Sequence, residues 1–339
     1  MSGKIGIVYN EPVPGRLHSL GEEGAVVGVL DAVSAVRQAV QKLGYEVQTI
    51  PLRPPLSITV ADLTDVKADI IFNLFEGFDG EPDSEAAVAE VLEQMGTCFT
   101  GSPSRALRLS QNKAAEKQIL RSQGIPVPDW QVLSPESLSC FALNFPCIIK
   151  PLGEHASHGI SADSVVADRD VLSKRIHFIF ESYRCQSLVE EFLPGREFCA
   201  LVVGNEHPHL FPIEEIVYTL PEGKPKILTY AAKWIIEDEY FTGTKTKCPA
   251  DVSPELSQEI ENLTMASFRA VSCRGYARVD MRQDKAGQLF VLEVNPNPDI
   301  SSAGGARLQA EVGGLDYVSF IHEILSLAQD AFAPACGSV

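Results

Sequence analysis

The apolar and polar positions of the chain set out its elements before any chemistry is considered. Lys4–Tyr9 (KIGIVY) is a short apolar run that predicts a buried parallel strand. Residues 10–24 are rich in Gly, Pro and Glu and predict a loop. From Leu30 to Leu43 apolar residues recur at helical spacing (Val33, Val36, Val40, Leu43), and Gly44 follows as a C-terminal cap. Tyr45–Pro51 and Asp69–Asn73 read as strands, Phe75–Glu81 as a loop, Glu85–Met95 as a helix and Cys98–Thr100 as a short strand. Strands alternating with helices call for a parallel sheet covered on both faces. Residues 1–102 therefore form one α/β unit. Its first loop is no G-x-G-x-x-G, which counts against a nicotinamide site.

A second unit, 103–186, opens near Pro103. Gln111–Gln123 is helical and is stopped by Gly124-Ile125-Pro126-Val127-Pro128. Phe145–Lys150 (FPCIIK) is a strand closing on a lysine, Pro151–Ser161 (PLGEHASHGIS) a flexible loop, and Asp168–Tyr183 a helix. The third unit, 187–339, holds the strands Ser187–Glu191, Glu197–Val203 and Leu210–Val217, and the YAAKW segment at Tyr230–Trp234. The helix Glu255–Arg274 has Ser253 as N-cap and Pro254 at its first position. Tyr317–Ala331 closes the chain as an amphipathic helix.

Between these two helices lies the most informative stretch, Tyr276–Asp299 (YARVDMRQDKAGQLFVLEVNPNPD). Two alternating runs flank Asp284-Lys285-Ala286-Gly287, which predicts a β-hairpin. With a side-chain period of two, Arg278 and Asp280 share a face of the first strand, and Glu293 and Asn295 share a face of the second. A simple register lays the two pairs side by side. Two carboxylates and an amide oxygen suit Mg²⁺, and an adjacent guanidinium suits a phosphate or a developing oxyanion. The bland alternative is an exposed hairpin face that happens to carry charge. Asn295-Pro296-Asn297-Pro298 counts against it, because proline cannot continue a central strand, so these groups sit where the backbone leaves the sheet.

Composition narrows the classes. The 339 residues are 45% hydrophobic, enough for two or three cores. A net charge of −17 and a pI near 4.8 leave no basic patch, so no nucleic-acid partner is expected. No apolar run approaches ~18 residues, so no membrane partner is expected either. Met1-Ser2-Gly3-Lys4 leads into a strand and does not read as a signal peptide. Eight scattered cysteines, from Cys98 to Cys336 and without a Cys-x-x-Cys pair, fit reduced thiols in a cytoplasmic protein. His207-Pro208-His209 reads as a turn, since further zinc ligands at matching spacing are missing.

In so acidic a chain single cations near motifs gain weight. Lys150 ends an apolar strand ahead of a loop carrying Ser157 and Gly159, which could cradle a triphosphate without being a Walker A loop. Lys113 stands at a helix start and Lys233 in YAAKW. The Glu190-Glu191-Phe192-Leu193 crossing could offer backbone groups to adenine and a carboxylate to its amino group, with Glu197 set for ribose hydroxyls.

These residues in this order resemble the ATP-grasp superfamily, and within it the D-alanine–D-alanine ligase-like enzymes. The anchors are Asn112-Lys113, FPCIIKP with its loop, LVEEFLPGREF, AAKW, and above all RGYARVD paired with LEVNPNP. The resemblance implies an α/β (α+β) three-domain ATP-grasp fold with an N-terminal Rossmann-like parallel-sheet domain, ATP being gripped between the other two. It assigns Lys113 and Lys150 to phosphates, Ser157 and Gly159 to the loop closing over them, and Glu190, Glu191, Leu193 and Glu197 to adenine and ribose. Lys233 reaches the transferring phosphate, and Asp280, Glu293 and Asn295 hold two Mg²⁺ ions, or Mn²⁺ in their place. Arg278 stabilises the oxyanion, and Glu81 matches a substrate-side glutamate. The implied reaction joins a small-molecule carboxylate to an amine through an acyl phosphate, releasing ADP and phosphate. The resemblance also raises a homodimer.

The departures fall on the amino-acid side. The family's first-substrate Glu and Ser align with Val27 and Val29, and the loop serine that links to that glutamate with Ala156. The tyrosine completing the link aligns with Trp234, and the His of the N-terminal substrate loop with Glu76. Asp299 and Gly304 replace the Gly and Ser that follow the metal motif. Glu22 or Glu23 could stand in for the lost acid. An extra acid at Asp299 disfavours a carboxylate and favours a cationic or hydroxylated partner. A ligase acting on amino acids or a peptide-like metabolite is therefore the first expectation. The alternatives are a D-alanine–D-alanine ligase proper and a nucleotide-binding regulator that has lost the chemistry, which the intact Lys150, Arg278, Asp280, Glu293 and Asn295 disfavour.

Overall fold

The computed structural model describes residues 3–81 and 83–333, and Cys336 lies outside them. Three sheets carry the fold. Strands β1 (Lys4–Asn10), β2 (Glu46–Leu52) and β3 (Ile70–Asn73) pair in parallel in the order β2–β1–β3. The predicted strand at Cys98–Thr100 is reduced to one parallel bridge, Phe99 to Ile71. Strands β4 (Trp130–Leu133), β5 (Cys147–Pro151), β6 (Val165–Val166) and β7 (Ser187–Glu191) form an antiparallel sheet, β4–β7–β5–β6. The third sheet contains β8 (Glu197–Gly204), β9 (His209–Leu210), β10 (Glu214–Tyr218), β11 (Thr244–Lys247), β12 (Gly275–Gln283) and β13 (Leu289–Asn295). Its order is β11–β10–β8–β12–β13, with β9 on β8. The expected boundary at residue 187 therefore cuts a sheet: β7 pairs with β4 and β5 and belongs to the second unit.

The helices are α1 (Arg16–Ser19), α2 (Gly24–Lys42), α3 (Leu56–Thr64), α4 (Ser84–Gln94), α5 (Ser104–Ser110) and α6 (Lys113–Ser122). After them come α7 (Arg169–Tyr183), α8 (Tyr230–Trp234), α9 (Glu239–Gly243), α10 (Pro254–Val271), α11 (Gly305–Val312) and α12 (Tyr317–Phe332). Side-chain caps behave as read: Asn112 accepts from Ala115 N at 3.1 Å, Asp168 from Val171 N at 2.9 Å and Ser253 from Leu256 N at 3.2 Å.

Two spans differ from expectation. Residues 10–24 are not all loop, because α1 forms within them and α2 begins at Gly24, six residues ahead of the periodic pattern. The early turns of α2 carry two glycines, Gly24 and Gly28, which face a distant ring and interrupt the spacing. A β-carbon at Gly28 would lie 2.8 Å from the Trp234 indole, so the helix approaches only through glycine. The single strand read over Leu210–Val217 is two, interrupted around Pro212, which cannot donate to a ladder.

The cores join the units. Ile5, Val36 and Phe72 from the first pack with Leu201, Tyr276, Phe320 and Ile324 from the third. Leu120 and Val127, from the helix and loop expected in the second unit, pack instead with Val279, Met281 and Val291 of the third. The second sheet packs Ile149 and Val189 against Phe141, Ile176 and Ile179, and Leu17 of α1 is buried among them. Each fully buried Leu or Phe contributes about 1.5–3 kcal/mol from transfer. Among the described residues no helix is long and apolar enough to cross a membrane, and the seven cysteines are unpaired.

Candidate active site

The hairpin forms as its alternation predicts, through a detail that alternation lacks. Arg278 faces Asn295 and Asp280 faces Glu293 across the β12–β13 ladder. On β12, Ala277, Val279 and Met281 are buried and the even positions present Arg278 and Asp280. On β13 the core positions are Leu289, Val291 and then Val294, so parity changes between them. The register skips Leu292, a β-bulge, and this turns Glu293 and Asn295 away from the core face that strict alternation would give them. The Leu292 carbonyl accepts from Lys117 Nζ at 2.8 Å. Asp284 Oδ1 ties the turn by accepting from Ala286 N and Gln288 N, both at 2.8 Å.

Arg278 forks onto both oxygens of Asp280 at 2.7 Å. Burial works to raise the Glu293 carboxyl, but Lys113 and Lys150, then His155 and Arg278, outweigh it and hold it below its usual range. Asn295 Oδ1 accepts from Asn297 N at 2.9 Å, which fixes the amide. Lys233 has no hydrogen-bond or ion-pair partner among the described residues. Desolvation and the nearby Arg278 lower its pKa, against the pull of Asp280 and Glu293.

Helix α6 brings a second set of charges. Lys113, Glu116 and Lys117, at i, i+3 and i+4, form one buried face. Lys113 Nζ donates to the Glu154 carbonyl at 2.5 Å, and Glu116 accepts from Val294 N at 3.0 Å. Lys117 pairs with Glu190 at 2.5 Å, and Lys150 pairs with the other oxygen of Glu190 at 2.6 Å. The sheet explains the second pair: Ile148 faces Glu190, and Lys150 is two residues further on the same face. Glu190, expected on adenine, is thus a buried anchor between two lysines, 1% exposed. The amides of Glu191 and Phe192 are taken by the Asp129 and Pro146 carbonyls, and that of Leu193 has no backbone partner among the described residues. The half-buried Glu191 side chain accepts from Asn144 at 3.3 Å. Glu197 receives Arg282 and the Tyr218 hydroxyl, each at 2.7 Å and both on Oε2, which leaves Oε1 for a ligand hydroxyl.

In the loop after β5, Ala156 (φ 53°) and Ser157 (φ 64°) are non-glycine residues in the left-handed region, each costing about 1–2 kcal/mol. Such strain persists where surroundings over-determine it. Gly159 N donates to Glu22 Oε1 at 3.1 Å, and His158 Nδ1 lies 3.1 Å from Glu22 Oε2. The His158 ring stacks on Tyr230, whose hydroxyl accepts from Gly24 N at 2.8 Å. The loop link expected to be lost at Val27, Ala156 and Trp234 is therefore made by Glu22, His158, Gly159 and Tyr230. Val29 is in the core and Val27 is exposed. Trp234, expected at the substrate, lies across α2 instead.

Glu76 and Asp299 are both open to solvent, and Ser301 donates to Asp299 from N at 2.7 Å and from Oγ at 3.0 Å. Neighbouring protein, then the charges of Asp299 and Glu85, raise the Glu76 carboxyl above its usual range. Glu81 is half-buried and bridges to Phe78 at the end of the Phe75–Glu81 loop. The acid that reaches the hairpin is Glu85, which accepts from Asn297 at 2.9 Å and Gln111 at 3.1 Å. Sequence reasoning missed Glu85, Glu116, Lys117 and His158. Only the i, i+3, i+4 spacing on α6 carried a local signal.

The sequence profile described as "D-ala D-ala ligase C-terminus" matches residues 119–326. An uncharacterised protein, y4sG, of Sinorhizobium fredii is 34% identical over 76% of this chain and 74% of its own length. A D-alanine–D-alanine ligase of Haemophilus influenzae is 30% identical over 87% of this chain and 94% of its own. The Bacillus anthracis D-alanine–D-alanine ligase complexed with ATP superposes with a TM-score of 0.75, 98% coverage of both chains and 21% identity. The VanG D-Ala:D-Ser ligase of Enterococcus faecalis does so with a TM-score of 0.74, covering 97% of this chain and all of its own at 19% identity, so both share the fold.

Proposed function

Because the chain belongs to the D-alanine–D-alanine ligase family and is an ATP-grasp ligase forming a carbon–nitrogen bond, we propose how its own residues perform that reaction and on what. A substrate carboxylate attacks the γ-phosphate of ATP, giving an acyl phosphate and ADP; an amine then displaces phosphate. The observation that carries this reading is the single face of Arg278, Asp280, Glu293 and Asn295, with Lys113, Lys150 and Lys233 around it. Lys113 and Lys150 hold phosphates; unpartnered Lys233 meets the transferring group; Arg278 meets the oxyanion. The loop at Ser157 and Gly159 closes over them, which matters because water would hydrolyse an acyl phosphate. The free amide of Leu193, Glu191 and Oε1 of Glu197 hold adenine and ribose.

The donor set fits Mg²⁺. One or two carboxylates are its usual protein share, an amide oxygen is a further hard donor, and among the described residues no three His, Cys, Asp or Glu side chains converge as a tighter cage. Asp280, Glu293 and Asn295 would hold it, with the Arg278 fork giving up Asp280. Bound there, Mg²⁺ offsets charge on the transferring phosphoryl group.

For the amine substrate, Glu76 and Asp299 support a cationic or hydroxylated group where a second D-alanine would present its carboxylate. The test is ADP release by purified protein with Mg-ATP, over pairs of D- and L-amino acids, amines and hydroxy acids. Asp280→Asn is the blank and should lose more than 100-fold of the rate, by analogy with other electrostatic deletions at reacting centres. Stimulation by a cationic amine supports the substrate assignment, and D-alanyl-D-alanine as the sole product contradicts it. AMP and pyrophosphate as products contradict the reaction itself.

A further inference from the structure

The segment Gly15–Leu17 meets two loops that are 62 or more residues away from it. Arg16 donates to the Asp79 carboxylate at 3.0 Å and to the Glu154 carboxylate at 2.6 Å. It also donates to the Tyr183 carbonyl, the last of α7, a position left without an intrahelical partner. Asp79 turns back to accept from Leu17 N at 2.8 Å. A β-carbon on Gly15 would stand 2.5 Å from Asp79 Oδ2, so the approach depends on glycine. Leu17, 6% exposed, sits in the core of the second sheet's unit with Ile149 and Tyr183. These side chains are 12–24% exposed, which puts the pairs beyond ordinary surface screening.

The two loops are those on either side of the proposed reaction. Glu154 belongs to the loop over the nucleotide, and its carbonyl receives Lys113. Asp79 belongs to Phe75–Glu81, which carries Glu76. One guanidinium therefore stands between the phosphate side and the amino-acid side.

We propose that Arg16 is a positioning residue that ties the loop over the nucleotide to the loop on the substrate side, so that the two close as one unit. The inference rests on the nucleotide site proposed above. A planar fork with several donors can hold two carboxylates and a carbonyl together, which a lysine ammonium does less rigidly.

The experiment compares hydrogen exchange of residues 75–81 and 151–161 in the full chain, with and without Mg²⁺ and the β,γ-imido analogue of ATP. The wild-type chain is expected to slow in both segments when the analogue binds. Arg16→Ala should bind it about tenfold more weakly and should slow 151–161 alone. Arg16→Lys should restore part of the protection at 75–81, which a purely structural role would not predict at an unchanged melting temperature. Glu154→Ala removes the acceptor of the link from the other loop and must uncouple the segments likewise, and it decides the matter if Arg16→Ala fails to fold. Joint protection in Arg16→Ala or in Glu154→Ala overturns the proposal. If the wild-type chain does not bind the analogue, the nucleotide site falls first. The coupling is then read from the free protein, where Arg16→Ala must speed exchange in both segments together; a change confined to residues 11–20 overturns it.

Discussion

Glu190→Gln should destabilise the protein more than any change on its exposed faces. The carboxylate stands 2.5 Å from Lys117 Nζ and 2.6 Å from Lys150 Nζ, and Glu190 and Lys117 are each 1% exposed. At an effective dielectric near 20, each pair attracts by about 6 kcal/mol. Burying each ion costs several kcal/mol, so the net worth of the trio is small, but removing the centre leaves two ammonium groups sharing a site without a counter-charge. The expected loss is about 3–5 kcal/mol, a melting temperature lower by on the order of 10 °C. Burial opposes ionisation of Glu190, yet Lys117 and Lys150 bring its pKa below the usual value. Its stabilisation is thus present above the ordinary carboxylate pKa near 4.5 and lost as pH falls through the lower folded value. Urea titration at pH 7 followed by tryptophan fluorescence reads the loss, because Trp130 faces Glu190 across β4–β7. Lys117→Met in the Glu190→Gln background should recover part of it. A Glu190→Gln chain within about 0.5 kcal/mol of wild type, or strictly additive single changes, would refute the reasoning.

Glu116 has the opposite sign. Burial, despite the hydrogen bond from Val294 N, lifts its carboxyl to about 8, so its contribution is complete below the unfolded pKa and lost as pH rises through about 8. Wild-type stability should fall by about 2–4 kcal/mol between pH 6 and pH 9, and Glu116→Gln, which keeps the acceptor, should flatten that fall in urea titrations at both pH values. At the substrate end, the Glu76 carboxyl is raised above its usual range beside Asp299 and Glu85, so it ionises later than a free carboxylate as pH rises. With a cationic amine, kcat/KM should rise as Glu76 ionises above the ordinary carboxylate range, and Glu76→Gln should remove the rise; an unchanged pH profile would take Glu76 out of the amine site.

What was legible in the sequence followed from local spacing. Period two paired Arg278 with Asp280 and Glu293 with Asn295, the bulge turned the second pair to the face of the first, and residue type at strand ends located Lys150. Local spacing could not show the bulge at Leu292, because a skipped residue leaves composition unchanged and alters only parity. Nor could it show Glu22 on Gly159, Arg16 on Glu154 or Trp234 on Gly28, pairs separated by more than 130 residues and made by tertiary docking. Nor could it show the pairing of Glu190: a carboxylate at a strand end suits a ligand or a lysine equally, and Lys117 lies on a helix that reaches it only in the folded chain. The acids rewriting the substrate side were visible as residue types, and so was Glu22 as a stand-in for the lost acid, but its partners His158 and Gly159 were not.

The most direct test of the central claim is oxygen transfer. The carboxylate substrate found in the ADP-release screen, with D-alanine as the first trial, is labelled with ¹⁸O and turned over with Mg-ATP and amine. Attack of the carboxylate on the γ-phosphate predicts one ¹⁸O in the inorganic phosphate for each ADP formed, and none when Asp280→Asn replaces the wild-type chain. Phosphate free of label, or label recovered in AMP, would contradict an acyl phosphate and with it the assignment of Lys233, Arg278 and the hairpin carboxylates to that step.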